Sequence, residues 1–183
     1  MNQKDHLPFL HHSRIDVPPE IRQYVIQLLN QTLACTVDLR SQVKQAGWNV
    51  RGNDFAPLQA LFAALASQLD AYADLVAERI AALGGMAMGT ARTAAAQSRL
   101  TEYPGTIVEG HTHVVALAER FADYARAMRE GIALSTDVED AGSAAVYTEI
   151  SRGVDKRLWS LDAHLYHGGA SAAPQDRAGS TGE

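Results

Sequence analysis

Apolar residues recur at steps of three and four along four long stretches of the chain, the spacing of one face of an α-helix. The first stretch opens at Pro18-Pro19-Glu20, where proline suits a first helical turn. It runs through Ile21, Val25, Leu28, Leu29, Leu33 and Val37 to about Trp48, and Gly52 is its stop. The second begins near Asn53 or Asp54, both able to cap a helix. It carries Leu58, Leu61, Phe62, Leu65, Leu69, Tyr72, Val76, Ile80 and Leu83 before Gly84-Gly85 ends it. A linker over 86–103 has room for a short helix at about 91–98. The third long pattern starts near Pro104 and reaches Gly131 through Ile107, Val114, Leu117, Phe121, Tyr124 and Met128. The fourth starts near Thr136 or Asp137 and uses Tyr147, Ile150, Val154, Leu158, Leu161 and Leu165. Four such helices, two short connections and one long one predict an all-α four-helix bundle over 18–167. Residues 1–17 read as an N-terminal tail. Residues 168–183, rich in Gly, Ala, Ser and Pro, read as a disordered C-terminal one.

Composition narrows the function classes. The chain of 183 residues suits one domain, and 46% hydrophobic residues suffice for a packed core. Sixteen basic against 21 acidic residues give a net charge of −5, which excludes a generally basic nucleic-acid surface. The single Cys35 excludes an internal disulfide framework and a cysteine zinc finger. No secretory signal and no membrane-spanning apolar run is read, so a cytoplasmic location without a membrane partner is expected. No phosphate loop, nucleophile elbow or metalloprotease motif occurs.

The second helix has an unusual polar side. At about 100° per residue, Gln59, Ala63, Asp70, Asp74 and Glu78 fall opposite the apolar stripe, with Ala56, Ala60, Ser67, Ala77 and Ala81 around them. A solvated face normally carries many Lys and Glu. Small residues allow another helix to approach closely, so this side is expected to meet a second subunit. Asp70, Asp74 and Glu78 stand at i, i+4 and i+8 and repel one another unless compensated. Either Arg or Lys from elsewhere neutralises them, or a hard cation binds between them, since oxygen ligands one turn apart can converge.

Other chemistry-bearing residues have simpler readings. His111 and His113 are two apart on a helix and face different ways. His164 and His167 sit at a helix C-terminus, where imidazole complements the dipole. His6, His11 and His12 form a polar arm able to gather metal or contact phosphate. Cys35 is expected to be a buried small residue, and Trp48 and Trp159 core or interface aromatics. Asp137, Glu139 and Asp140 sit where the fourth helix opens, a favourable place for acidic groups.

Several motifs together carry a family resemblance. They are Lys44-Gln45-Ala46-Gly47-Trp48-Asn49-Val50-Arg51-Gly52, Phe55 with Leu58-Gln59-Ala60-Leu61-Phe62, and the run Asp70 to Arg79. Leu83-Gly84-Gly85 with Gly89-Thr90, Tyr103-Pro104, Asp155-Lys156 and Leu158-Trp159 complete them. The chain resembles the Dps family of mini-ferritins, DNA-binding proteins from starved cells, over about residues 8–167. That resemblance implies a ferritin-like four-helix bundle with a short helix in the long middle crossover, a hollow dodecamer, iron as the metal and no haem. It also implies a ferroxidase site shared by two subunits. Asp74 and Glu78 match its later carboxylates, whereas Gly47, Gln59 and Ala63 stand where the family has His, His and Asp. Asp137 and Asp140 fall where such cages have acidic pores.

The expectation is therefore a cage for iron sequestration and stress protection, with iron held weakly at a degenerate ferroxidase centre. The alternative is a structural or nucleoid-associated shell without iron oxidation; a monomeric or dimeric bundle with another ligand is a third reading. DNA binding is expected to be weak or absent. In residues 1–17, Lys4 and Arg14 are balanced by Asp5 and Asp16; beyond 168, Arg177 faces Asp176 and Glu183.

Overall fold

The computed structural model describes residues 10–166; the expected C-terminal tail, His6 and His167 lie outside them. Five helices follow in order: α1 (Pro19–Asn49), α2 (Phe55–Ala82), α3 (Ala91–Gln97), α4 (Gly110–Asp137) and α5 (Ala141–Leu165). α1 packs against α2 and α4 against α5; α1 also meets α4, and α2 meets α5. The isolated bridge between Arg51 and Glu109 sets the end of α1 beside the start of α4. α2 and α4 therefore begin at the same end of the bundle. The chain must return the length of α2, about 42 Å at a rise of about 1.5 Å per residue, and residues 83–109 do so. The short α3 rides on this crossover against α1.

Each helix buries the stripe that its sequence spaces. Leu29, Leu39, Phe62, Leu65, Leu69, Leu117, Phe121 and Ile150 are at most 1% exposed and lie in one continuous core. Two hydroxyl pairs cross that core. Thr36 Oγ1 donates to Thr32 O (2.8 Å) and meets the Tyr124 hydroxyl at 2.7 Å; Thr32 Oγ1 meets the Tyr147 hydroxyl at 3.0 Å. Burial raises the pKa of both phenols, that of Tyr147 to about 12, so they remain neutral partners at any physiological pH.

Three boundaries differ from the sequence reading. The third long helix starts at Gly110 rather than near Pro104, because residues 101–108 form a strap whose groups are used elsewhere. Arg120 takes Glu102 O (2.7 Å), Gln42 takes Thr101 O (3.2 Å), and Arg51 N donates to Val108 O (3.0 Å). That helix then passes through Gly131 to Asp137. Gly131 is a packing residue: a Cβ there would lie 2.4 Å from the Tyr147 ring. The last helix starts at Ala141, not near Thr136, because Asp140 caps it by accepting from Ser143 N (3.1 Å). Asp54 does occupy the N-cap position of α2, without a side-chain capping bond.

Residues 10–13, assigned to the tail from sequence, lie along the end of α2. His11 N donates to Gly84 O (2.8 Å) and Ser13 Oγ to Ala82 O (2.7 Å). By length and composition alone α2 is apolar enough to cross a membrane. That corrects the sequence reading, which found no such run. Alanine rather than large side chains gives α2 this character, and its large side chains form one wall of the bundle core.

Candidate metal centre

The outer face of α2 is open in the protomer. Gln59, Ala63, Asp70, Asp74 and Glu78 are all exposed, with Ala56, Ala60, Ser67 and Ala81 between them. The two readings of the acidic row divide by residue. Asp70 is neutralised from the neighbouring helix by an ion pair with Arg40. Asp74 and Glu78 have no ion-pair partner among the described residues. One helical turn separates them, about 6 Å along the axis, so both carboxylates can reach one cation. Among the described residues no three His, Cys, Asp or Glu side chains converge.

Gly47, Gln59 and Ala63 lie together elsewhere on this surface. With Lys44, Trp48 and Phe62 they line a cavity of ≈ 270 Å³ between the end of α1 and the start of α2. Its walls offer one neutral amide, one ammonium and otherwise apolar groups. Gly47 leaves real space, since a Cβ there would meet only Phe62 Cβ at 3.6 Å. Along α2, Ala63 and Asp74 are about 16 Å apart, so the cavity and the carboxylate pair cannot serve one metal within a single chain.

Asp140 is spent inside the protomer. It is 2% exposed and accepts from Arg79 Nη2 (2.6 Å) and from Ser143 Oγ (2.6 Å), while Arg79 Nε donates to Ser143 Oγ (2.9 Å). This network ties the end of α2 to the start of α5. Gly142 makes room for it, because a Cβ there would lie 2.7 Å from the guanidinium. Asp137 and Glu139 are exposed, and Glu139 makes the turn with φ of 59°.

The remaining candidates resolve as structural groups. His164 Nδ1 lies 2.8 Å from Ser160 O, and Cys35 is buried, its sulfur accepting from Arg99 N at 3.4 Å. Trp48 and Trp159 are 68% and 70% exposed, so neither belongs to the protomer's core. His111 and His113 do face different ways. His113 is 1% exposed, its Nδ1 paired with the Tyr103 hydroxyl and its ring stacked on Tyr103 and edge-on to Phe62.

Burial pushes the His113 imidazole below its usual 6.5, against the weaker opposing effect of the Asn49 backbone. Tyr103 is pushed up to about 12 and cannot supply a negative charge. The nearby ionic group is the Arg120 guanidinium, 5% exposed and 5.6 Å over the Tyr103 ring, with Glu119 at its solvent edge. The unfolded chain thus binds this proton more readily than the folded one. Stability should be complete above about pH 6.5 and fall below it. Urea midpoints at pH 7.5 and pH 5 should differ less in His113→Gln than in the unmodified protein; an equal difference would contradict this.

A four-helix bundle with a long crossover, and paired carboxylates on a small-residue face of its second helix, has the make-up of a ferritin-like protein. The ferritin-like domain family matches residues 26–168. The DNA protection during starvation protein of Agrobacterium fabrum is 37% identical over 155 residues, covering 85% of this chain and 96% of that protein. DpsC from Streptomyces coelicolor superposes with a TM-score of 0.83 at 25% identity, covering 90% of this chain and 96% of the other. Dps from Microbacterium arborescens, in its high iron form, gives 0.75 at 30% identity over 81% of this chain and 96% of the other. The chain belongs to the ferritin-like superfamily and, within it, to the Dps family.

Proposed function

We propose that the chain assembles into a closed Dps-type shell that sequesters iron and protects the cell under oxidative or starvation stress, with an incomplete ferroxidase centre. The protective role is supported by the Agrobacterium relative, named for DNA protection during starvation. The choice of iron is supported by the Microbacterium relative, whose structure is of a high iron form.

The symmetry of the α2 face carries the reading. Positions 63 and 74 are equally far from a point between Gln68 and Leu69, and so are positions 59 and 78. A two-fold axis through that point sets Ala63 of one copy opposite Asp74 of the second, and Gln59 opposite Glu78. Such a self-complementary contact is the commonest interface between identical subunits. Ser67 and Ala71 then sit near the axis, where small side chains let two helices approach. The exposed Asp74 and Glu78 of one copy point toward the cavity lined by Gly47, Gln59 and Ala63 of the other.

Among the described residues set there, Asp74 and Glu78 bring two carboxylates and Gln59 an amide as side-chain oxygen donors. They hold a hard divalent cation with water completing its shell, and exchange it readily. Imidazoles, which bind iron more firmly and tune its oxidation, do not occur among the described residues that line the facing half. Iron is here the cargo and substrate rather than a resident cofactor. Its slow oxidation and deposition fall to acidic inner surfaces, and cation entry to a pore near the α4–α5 turn, where Asp137 and Glu139 are exposed. Asp140, paired with Arg79, holds that turn in place. A shell without any iron chemistry is the competing reading, favoured by the lining around Gly47, where among the described residues Gln59 gives the one side-chain oxygen donor.

Light scattering tests the assembly. The expected particle contains about twelve copies of the 19.7 kDa chain. A monomer at micromolar concentration would refute the shell.

A further inference from the structure

We infer that residues 101–109 form an acid-operated latch: a proton taken up by the buried His113 imidazole releases this strap, while the helices beneath it stay folded. This inference does not depend on the α2 face or on iron. It goes beyond a uniform loss of stability, because it names the segment that opens first.

Of residues 101–109, Tyr103 alone is buried, at 7% exposure, so this side chain anchors the strap in the bundle. Its hydroxyl meets His113 Nδ1 at 2.5 Å, and the two rings stack with centroids 6.1 Å apart and planes 10° apart. The strap's carbonyls supply its other ties. Arg120 Nη2 donates to Glu102 O (2.7 Å), Gln42 Nε2 to Thr101 O (3.2 Å), Arg51 N to Val108 O (3.0 Å) and His113 N to Glu109 O (3.1 Å).

A neutral His113 ring can accept the phenol's hydrogen at Nδ1. A charged ring carries hydrogen on both nitrogens, so Nδ1 must donate and the phenol's own hydrogen loses its acceptor. The second nitrogen, Nε2, is buried and makes no hydrogen bond of good geometry. The groups facing the ring do not offset a charge. The strap brings Tyr103, pushed up to about 12 and therefore neutral, and Glu102, which is exposed. α4 brings Arg120, a like charge that is 5% exposed, with Glu119 at its solvent edge, while Glu109 and His111 are exposed. α2 brings the Phe62 ring, edge-on at 6.4 Å, and the end of α1 brings the Asn49 backbone, whose effect is weaker than that of burial.

An imidazolium 1% exposed in such a setting must reach water. Long helices of one core wall the ring on its other sides. The strap is held by one buried side chain, so lifting it is the least costly route to solvent. Burial favours the neutral ring in the closed state, so opening takes up a proton and grows as the pH falls below about 6.5.

The test is hydrogen–deuterium exchange on the full-length assembled protein at pH 7.5 and 5.0, with rates corrected for the intrinsic pH dependence of amide exchange. The Arg51 amide reports on the strap, because its acceptor is Val108 O. Its corrected rate should rise about tenfold at pH 5.0, within the ceiling of about 30-fold for one proton taken up at about 6.5. Amides in the middle of α1 and α4 should stay better protected than Arg51 by about 100-fold or more at both pH values, which makes the opening local. His113→Gln keeps a neutral hydrogen-bonding side chain without a titrating ring, and particle size and helicity verify that it assembles. In this variant the step should shrink to less than about twofold. Tyr103→Phe, which keeps the ring and removes the hydroxyl, should raise Arg51 exchange at both pH values. An Arg51 amide with the same corrected rate at both pH values in the unmodified protein overturns the latch. So does a full step in His113→Gln, or mid-helix amides that exchange as fast as Arg51 at pH 5.0.

Discussion

Replacing Gly47→His, Gln59→His and Ala63→Asp together is expected to raise the initial rate of peroxide-driven Fe(II) oxidation on the order of 100-fold, while each replacement alone changes it little. On the proposed reading a hard cation held by Asp74, Glu78 and water would exchange faster than it reacts, so one added ligand would gain little without the others. The packing permits the change. The position of a Cβ on residue 47 is already an ordinary contact distance from Phe62, and Gln59 and Ala63 line open space. Gly47 stands inside α1, so a side chain there also removes a backbone-entropy cost of about 0.5–1 kcal/mol. Stopped-flow absorbance resolves the first turnover from later mineral growth. A triple variant that oxidises iron no faster than the unmodified protein would show that the facing half-site does not limit the reaction.

The second large effect concerns the fold. Arg79→Leu should destabilise the chain by about 3–5 kcal/mol, because it leaves the Asp140 carboxylate buried without its cation. Asp140 is 2% exposed, and Arg79 is the only basic residue paired with it among the described residues. Arg79→Lys should recover only part of the loss. One ammonium cannot reproduce the fork that reaches Asp140 and Ser143 together. The exposed pair of Arg129 and Asp155, both side chains 56% accessible, provides the contrast, and Arg129→Ala should cost less than about 1 kcal/mol. Urea denaturation of the three variants checks the order. Equal midpoints for Arg79→Leu and Arg129→Ala would contradict it.

The helices were legible because their stripes follow a 3.6-residue period, a local property of the chain. Two of the three misread boundaries depend on distant partners. Gly131 reads as a helix stop, yet it is small because Tyr147 lies against it. Pro104 reads as a helix opening, yet its segment is drawn into a strap by Arg120, Gln42 and Arg51. The true start of α5 did leave a local signal, Asp140 followed three residues later by Ser143. Its pairing with Arg79, sixty-one residues away, left none.

The candidate centre was legible in a similar way. Small residues and carboxylates sharing one side of α2 need only helical geometry to be seen. The motif resemblance marks Gly47, Gln59 and Ala63 as departures within the sequence itself. Sequence could not decide which carboxylates are compensated, because Arg40 lies on another helix. Nor could it show that Asn30 binds the backbone of Met86 and Met88, since Asn30 lies fifty-six residues from Met86.

The central claim is that Asp74 and Glu78 remain while the facing half of the centre has lost its ligands. Stopped-flow mixing of the assembled protein with Fe(II) and peroxide tests it most directly, run beside Asp74→Ala with Glu78→Ala. The account predicts no fast phase in the unmodified protein, with a first-turnover rate close to that of the double variant. A rapid, stoichiometric phase in the unmodified protein that disappears when Asp74 and Glu78 are removed would contradict it.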